Sequence, residues 1–435
     1  LYSYKNILKD LKINEIEFIK SYHLGSKGYH VSKDKSTLSH LLTRIISIDE
    51  IPYGRWLYDE IKNYKGKKID KDLLLSCIED NSLIDYDIPI PPTKNYTFTF
   101  ADIFCNVGGA SLGLMKEGGR CVFSYNESKR TTKLSYTANF GLIPYANNEI
   151  LQNTNFPQVD VIITSLDIQS LPLNKGKKPK YESMIETNWY TFIEFVNKIQ
   201  PKAIIIESNK TQRDELFDAS TSVAFRTLKE ATGYYTTNPA ILDALNYGVP
   251  QMRKRLWFAA FSNPLSALNF NWPKPEKRTW KLKDILEDKV DSKHYFSRKH
   301  ELYLEQNDKS NKDKGYWFSS IVLDPERESK SISFGGQGWD RNLLYDEKNY
   351  PSILKDGIEV NSKKLRRFTT RELLRLQGFS EEFQIPDRYN LRWEFMGMAT
   401  NVNVAQRVVR SVLSAIDEKT IEKSAKILIN SGLNF

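Results

Sequence analysis

Cysteine is scarce in this chain: Cys77, Cys105 and Cys121 are the only three among 435 residues. An odd number with no CxxC spacing argues against a disulfide framework and a zinc site. The five histidines are scattered without ligand spacing, so no metal is expected. Long apolar runs are also missing. No stretch approaches the roughly 18 residues that a membrane-spanning helix needs, and no signal-peptide pattern follows Leu1. The expectation is a cytoplasmic protein with reduced thiols and no membrane partner.

What is present suits a folded, multidomain protein. Hydrophobic residues make up 40% and aromatic residues 12% of the chain, enough for a packed core. The length allows two or three domains. The net charge of +9 suits a polyanionic partner, nucleic acid first.

Residues 1–95 read as a helical N-terminal region. "YKNILKDLKINEIEFIKSY" and "STLSHLLTRIISI" carry apolar residues at helical spacing, the second with Ser36 as N-cap. "GYHVSKDKSTLSHLLTRI" suits a helix-turn-helix or an ordinary amphipathic helix pair. The proline-rich "DIPIPPTKNY" reads as a linker. Over 96–272, apolar strand-type runs ("YTFTFADIF", "CVFSYNE", "VDVIITS", "AIIIES") alternate with helical stretches, which predicts βαβ units around a parallel sheet. Residues 273–363 are rich in Lys, Asp, Ser and Asn and read as a small irregular domain. Helical patterns return over 364–435, at "TTRELLRLQGF" and "NVAQRVVRSVLSAI".

Three blocks carry chemistry. "FADIFCNVGGASLGL" places a strand before a glycine turn and a helix, a device for close backbone approach to a nucleotide-like ligand. Glu127 ends the next strand, where a carboxylate can accept from ribose hydroxyls. "NYGVPQMRKRLWFAAF" and "RRFTTRELLRLQGF" are more specific. In this order the blocks resemble those of the DNA cytosine-5 methyltransferases. The family's QxRxR motif corresponds to Gln251, Arg253 and Arg255, and its RxTxRExxRLQGF motif to Arg367–Phe379.

The resemblance implies an α/β, Rossmann-like S-adenosylmethionine-dependent methyltransferase fold with a small inserted target-recognition domain. It places the cofactor at Asp102, Phe104, Asn106, Gly108, Gly109 and Glu127. It implies double-stranded DNA as partner, with the target cytosine flipped from the stack. Glu207, Arg253 and Arg255 are the implied base-recognition candidates. The Arg367 block is expected to pack the recognition domain onto the core.

The chain also departs from the family. A thiolate in a Pro-Cys-Gln loop adds to C6 of cytosine there. Aligning "DVIITSLDIQSL" on that strand and loop keeps Gln169 but puts Asp167 at the proline and Ile168 at the cysteine. Isoleucine has no lone pair, and no cysteine follows Cys121. Cys105 sits in the glycine turn, where packing is its expected role. The family's Glu-Asn-Val reads Glu207-Ser208-Asn209, and the first glycine of the cofactor turn is Asn106. Asparagine tolerates left-handed geometry but adds a side chain there. Glu149 is a poor match to the acid expected after the third strand. In "GMATNVNV" either Gly397 is retained or Ala399-Thr400 stands for the family's Gly-Asn pair.

Expected DNA contacts are Lys175, Lys177 and Lys178 in "NKGKKPK", with Lys180 beside them, then Gln251 and Arg255, and Gln337 and Arg341 in the glycine-rich "SISFGGQGWDRN" near Trp339. The resulting expectation is a catalytically degenerate family member. It would serve as a DNA-binding or partner subunit of a bacterial modification, restriction or defence system, nucleoid-associated, with S-adenosylmethionine binding left open. Its expected partners are double-stranded DNA and an active methyltransferase subunit; one alternative is an active DNA (cytosine-5) methyltransferase forming half of a composite site with a partner subunit. Another is a DNA-binding transcriptional regulator.

Overall fold

The computed structural model describes residues 89–435 except 91, 94, 127–131, 133–134, 137–138, 141–143, 146–150, 152–155, 167–179, 210–218, 316–319, 333–341, 352–353, 355–356, 386–388 and 431–435. The N-terminal region, with Cys77 and its helix-turn-helix candidate, therefore lies outside the described residues. The chain divides into two compact units. One holds the described residues up to Ile241 together with 255–273 and 405 onward; the other holds 242–254 and 274–404.

The first unit is built on a sheet. Its strands are β1 (Phe98–Ile103), β2 (Gly119–Tyr125), β3 (Val161–Ser165), β4 (Ala203–Asn209), β5 (Tyr235–Thr236), β6 (Ala240–Asp243) and β7 (Lys254–Phe261). The order is β2-β1-β3-β4-β7-β5, with β6 pairing β7 off that path. Strands β1 to β4 are mutually parallel, whereas β7 runs antiparallel to β4. The parallel connections carry helices, α1 (Gly109–Met115) after β1 and α2 (Lys180–Ile199) after β3. Central strands of such a sheet are buried on both faces, which explains why β3 and β4 are near-continuous apolar runs.

An aromatic cluster packs beside β2. The Phe123 ring centroid lies 5.2 Å from Tyr145, 5.4 Å from Phe156 and 5.5 Å from Phe195, and Tyr125 lies 4.9 Å from Phe195. Rings at these spacings add roughly 0.5–1.5 kcal/mol per pair beyond their burial. Helix α3 (Ala219–Thr232) precedes β5, and α4 (Pro264–Asn269) is capped by Asn263, whose side chain accepts from Leu265 N.

The second unit holds α5 (Arg298–Asp313) and a three-stranded sheet, β8 (Ile321–Val322), β9 (Asn342–Tyr345) and β10 (Leu365–Arg366), in the order β10-β9-β8. Phe296, Leu304, Leu343 and Leu365 form its small apolar core. Helices α6 (Thr370–Leu376) and α7 (Tyr389–Met398) follow. Helix α8 (Val402–Ile416) starts in this unit and runs on into the first, which α9 (Glu418–Asn430) completes. In the first unit Glu117 accepts from Gln406 and Arg410, tying the turn after α1 to α8. No helix among the described residues is long and apolar enough to cross a membrane.

Candidate functional site

The parallel direction of β1 to β4 sends their carboxyl ends to one edge of the sheet, where ligands sit in folds of this type. At the end of β1 the chain turns through left-handed geometry at Phe104 (φ 60), Asn106 (φ 49) and Gly108 (φ 94). Asn106 thus adopts the backbone that the family supplies with glycine, and its carbonyl accepts from Nδ2 of the buried Asn126 at 3.1 Å. Gly108 serves a different need. A Cβ there would stand 2.1 Å from the Phe140 ring and 3.1 Å from that of Tyr136. Glycine at 108 makes room for the chain's own rings.

Asp102, fully buried, accepts from Ser111 Oγ on Oδ2 at 2.6 Å, and that hydroxyl also meets Tyr136 OH at 2.7 Å. Its Oδ1 has no hydrogen-bond partner among the described residues. Burial pushes the Asp102 carboxyl up to about 7, against the opposing bond from Ser111. Both described cysteines are buried, at 4% exposure each. Burial also raises the Cys105 thiol well above its ordinary range, and Cys121 Sγ donates to the Phe123 carbonyl at 3.3 Å. For Cys105, a raised pKa lowers the thiolate fraction that a nucleophile needs.

The second cluster lies where β3, β4 and β7 meet. Because β7 is antiparallel, its amino end reaches the edge formed by the carboxyl ends of the others. Register partners there are Ser165 with Glu207 and Asn209 with Arg255. Glu207 is 3% exposed. Its Oε1 stands 3.7 Å from Arg255 Nε, and its Oε2 accepts from Ser165 Oγ at 3.2 Å. Leu166 N donates to the Glu207 carbonyl, fixing the start of the following loop. A carboxylate and a guanidinium side by side can meet the donor and the acceptor of a base edge.

Two expected site residues are buried and bonded within the second unit. Gln251, read from the motif as facing DNA, is fully buried. Its Nε2 donates to the Leu376 carbonyl at 2.8 Å, and its Oε1 accepts from Ile332 N at 3.1 Å. Arg253, read as a base contact, is 2% exposed. Its guanidinium donates to the carbonyls of Ile332, Gly397 and Ala399 at 3.0, 2.8 and 2.9 Å. Both side chains brace backbone inside the second unit, where a buried carbonyl without a partner would be costly. Arg253 also draws together Gly397 and Ala399, the two positions between which the sequence reading left the motif open.

The RLQGF block is internal to the second unit. Arg366 donates to both oxygens of the buried Glu372 at 2.8 and 2.9 Å and to Asp346 at 2.7 Å. Thr369 and Glu372 form the capping box of α6. The Arg367 guanidinium lies 4.0 Å above the Phe296 ring. Arg371 donates to the carbonyls of Ser380 and Phe383, and Gln377 to that of Met396.

Asp167, Ile168, Gln169, Glu127, Glu149, Lys175, Lys177, Lys178, Gln337, Trp339 and Arg341 lie outside the described residues, as does the side chain of Lys180. Among the described residues no group of three or more His, Cys, Asp or Glu is gathered as a metal site. Ser165 is the member that motif reading passed over. Its one sequence signal is its place at the last residue of a strand, directly before the nucleophile-position loop.

Comparisons with known proteins identify the family. The model of the C-5 cytosine-specific DNA methylase family matches residues 98–414. The type II methyltransferase M.HpaII of Haemophilus parainfluenzae is 27% identical over 354 residues, covering 80% of this chain and 98% of that protein. M.HhaI of Haemophilus parahaemolyticus is 23% identical over 334 residues, covering 74% and 95%. Among solved structures, the Entamoeba histolytica methyltransferase EhMeth superposes with a TM-score of 0.54 at 16% identity, covering 74% of this chain and 99% of that one. The S. pombe Dnmt2 methyltransferase gives 0.51 at 17% identity, covering 74% and 99%. Family members use S-adenosylmethionine. The family match spans well over half of the chain and includes the glycine turn, Glu207, the QxRxR strand and the RLQGF block, and the chain belongs to the C-5 cytosine-specific DNA methylase family.

Proposed function

We propose that this chain is a catalytically degenerate cytosine-5 methyltransferase homologue that contacts DNA and holds a base without methylating it, as a subunit of a bacterial modification or defence system. The observation that carries the reading is the thiol inventory. Ile168 stands at the nucleophile position, no cysteine follows Cys121, and Cys105 and Cys121 are sealed in the core. Among the described residues, no exposed thiol is present to form a carbon–sulfur bond to C6.

The base-holding part rests on Glu207 and Arg255, which face each other at 3.7 Å. The exocyclic amino group of cytosine can donate to the carboxylate, and its carbonyl can accept from the guanidinium. At the other cluster, the left-handed turn is kept at Asn106, and Asp102 Oδ1 is a buried acceptor without a partner among the described residues. Both fit the amino acid end of S-adenosylmethionine, which supplies the methyl group when bound. The same retained pair favours one second reading, a composite site whose nucleophile comes from an active partner subunit.

The test is a pair of assays on purified chain, salt-dependent binding to duplex DNA and label transfer from S-adenosylmethionine. The proposal expects binding that weakens with salt and no transfer. Transfer only after co-expression with a partner subunit, abolished by Glu207→Ala, selects the composite site.

A further inference from the structure

The second unit carries an exposed tryptophan on a pinned stretch of backbone. All residues of 274–281, "KPEKRTWK", are exposed and lie in neither helix nor strand. The stretch is nevertheless fixed on both sides of the ring. Glu276 N donates to the Asn246 carbonyl at 2.9 Å, and Arg278 Nε donates to Asn246 Oδ1 at 2.9 Å. Beyond Trp280, Lys281 N donates to Asp284 Oδ2 at 2.7 Å and Leu282 N to the Arg327 carbonyl at 2.8 Å. The indole Nε1 approaches the left-handed turn at Gly248 (φ 86), where a Cβ would stand 3.8 Å from it. Trp280 is 51% exposed. Among the described residues it has no hydrogen bond and no ring contact. Because its backbone is already held, little conformational freedom is lost when a partner covers the ring.

The same stretch is basic. It holds Lys274, Lys277, Arg278 and Lys281 against one carboxylate, Glu276. Lys281 is paired with Glu326 at 2.7 Å. Lys274 and Lys277 have no ion pair among the described residues. We propose that residues 274–281 are a platform for single-stranded nucleic acid: an unpaired base stacks on Trp280, and Lys274 and Lys277 meet the neighbouring phosphates. An aromatic surface with cations beside it is what sequence-tolerant single-strand binding uses. A duplex fits less well. Its paired bases present only their edges in the grooves, whereas stacking on an indole needs a base whose face is free. The platform includes no residue of the Glu207 or Asp102 clusters, so it stands independently of the base-holding reading.

The experiment uses the full chain as wild type, Trp280→Ala, Trp280→Phe and the double variant Lys274→Gln with Lys277→Gln. The probes are labelled oligo(dT), oligo(rU) and a blunt-ended duplex, read by fluorescence anisotropy. Trp280→Ala should weaken single-strand binding about tenfold, within the range of one base–aromatic stack, and leave duplex affinity level. Trp280→Phe keeps an aromatic face and should retain most of the affinity. The lysine double variant should lower the slope of log affinity against log salt by about 1.4, from two single-strand phosphates at about 0.7 each. The larger loss in Trp280→Ala, on oligo(dT) or on oligo(rU), identifies the strand that the platform takes. Trp280 is exposed, so its replacement should leave the denaturation midpoint in place and separate lost binding from lost fold.

Single-strand affinity unchanged in Trp280→Ala overturns the proposal. An equal loss on the duplex also overturns it and makes Trp280 a general DNA contact. Displacement of oligo(dT) by polyglutamate as readily as by unlabelled oligo(dT) of equal charge overturns it in favour of an acidic protein partner.

Discussion

Arg366 and Glu372 are joined by two hydrogen bonds of 2.8 and 2.9 Å, with 2% and 0% of their side chains exposed. The pair links β10 to the cap of α6, because Glu372 also accepts from the Thr369 backbone N–H and from Glu287 N. Removing Glu372 leaves the buried Arg366 with the Asp346 carboxylate but without its two-bond partner, and strips the capping box of α6. Glu372→Ala is expected to destabilise the protein by about 3–5 kcal/mol, read as a lower denaturant midpoint. Glu326, exposed and paired with Lys281 and Lys283, supplies the contrast: Glu326→Ala should leave the midpoint nearly unchanged.

Gly108 tests what the glycine turn is for. Gly108→Ala places a Cβ 2.1 Å from the Phe140 ring at a φ of 94°, which should cost roughly 3 kcal/mol from strain and overpacking together. If the ring is the obstacle, Phe140→Ala in the same chain should recover part of that loss. A double-mutant cycle of chemical denaturation midpoints gives the coupling directly.

Asp102 makes stability depend on pH in an uncommon direction for a carboxylate. Its folded value is raised to about 7 from 3.8 by burial, so between about pH 4 and pH 7 the folded chain holds a proton that the unfolded chain has released. Stability from this group is complete below pH 4 and is lost as pH rises through 7, by at most roughly 4 kcal/mol. Asp102→Asn keeps a neutral, isosteric group and should flatten that slope in denaturation curves taken across the window. A variant with the wild-type slope would show that Asp102 is already ionised at neutral pH.

Much of the architecture is legible in the residues. Near-continuous apolar runs at β3 and β4 announce a sheet covered on both faces, and Asn at 106 is compatible with the left-handed turn it makes. The direction of β7 is not legible, since "RLWFAAF" is equally apolar read either way. Yet that reversal is what brings Arg255 beside Glu207. The burial of Gln251 and Arg253 is not legible for a related reason. A polar residue in a recognised motif looks the same whether it meets DNA or braces a carbonyl, and the carbonyl Gln251 braces belongs to Leu376, 125 residues away. Ser165 was invisible because its partner is fixed by strand register and not by any motif.

The absence of a nucleophile is tested by restoring one. Ile168→Cys with Asp167→Pro rebuilds the family's Pro-Cys-Gln triplet ahead of Gln169. If only the thiol is missing, the double variant should transfer methyl groups to DNA where wild type does not. If the altered cofactor turn at Asn106 also matters, calorimetry with S-adenosylmethionine should show weak binding that Asn106→Gly strengthens.

The most direct measurement is methyl transfer by the wild-type chain alone, purified without partners and incubated with labelled S-adenosylmethionine and mixed-sequence duplex DNA. On the proposed reading, with no cysteine after Cys121 and Cys105 and Cys121 buried, the expected result is no label in DNA above a no-protein control. Label recovered as 5-methylcytosine, and lost in Glu207→Ala, would contradict the account.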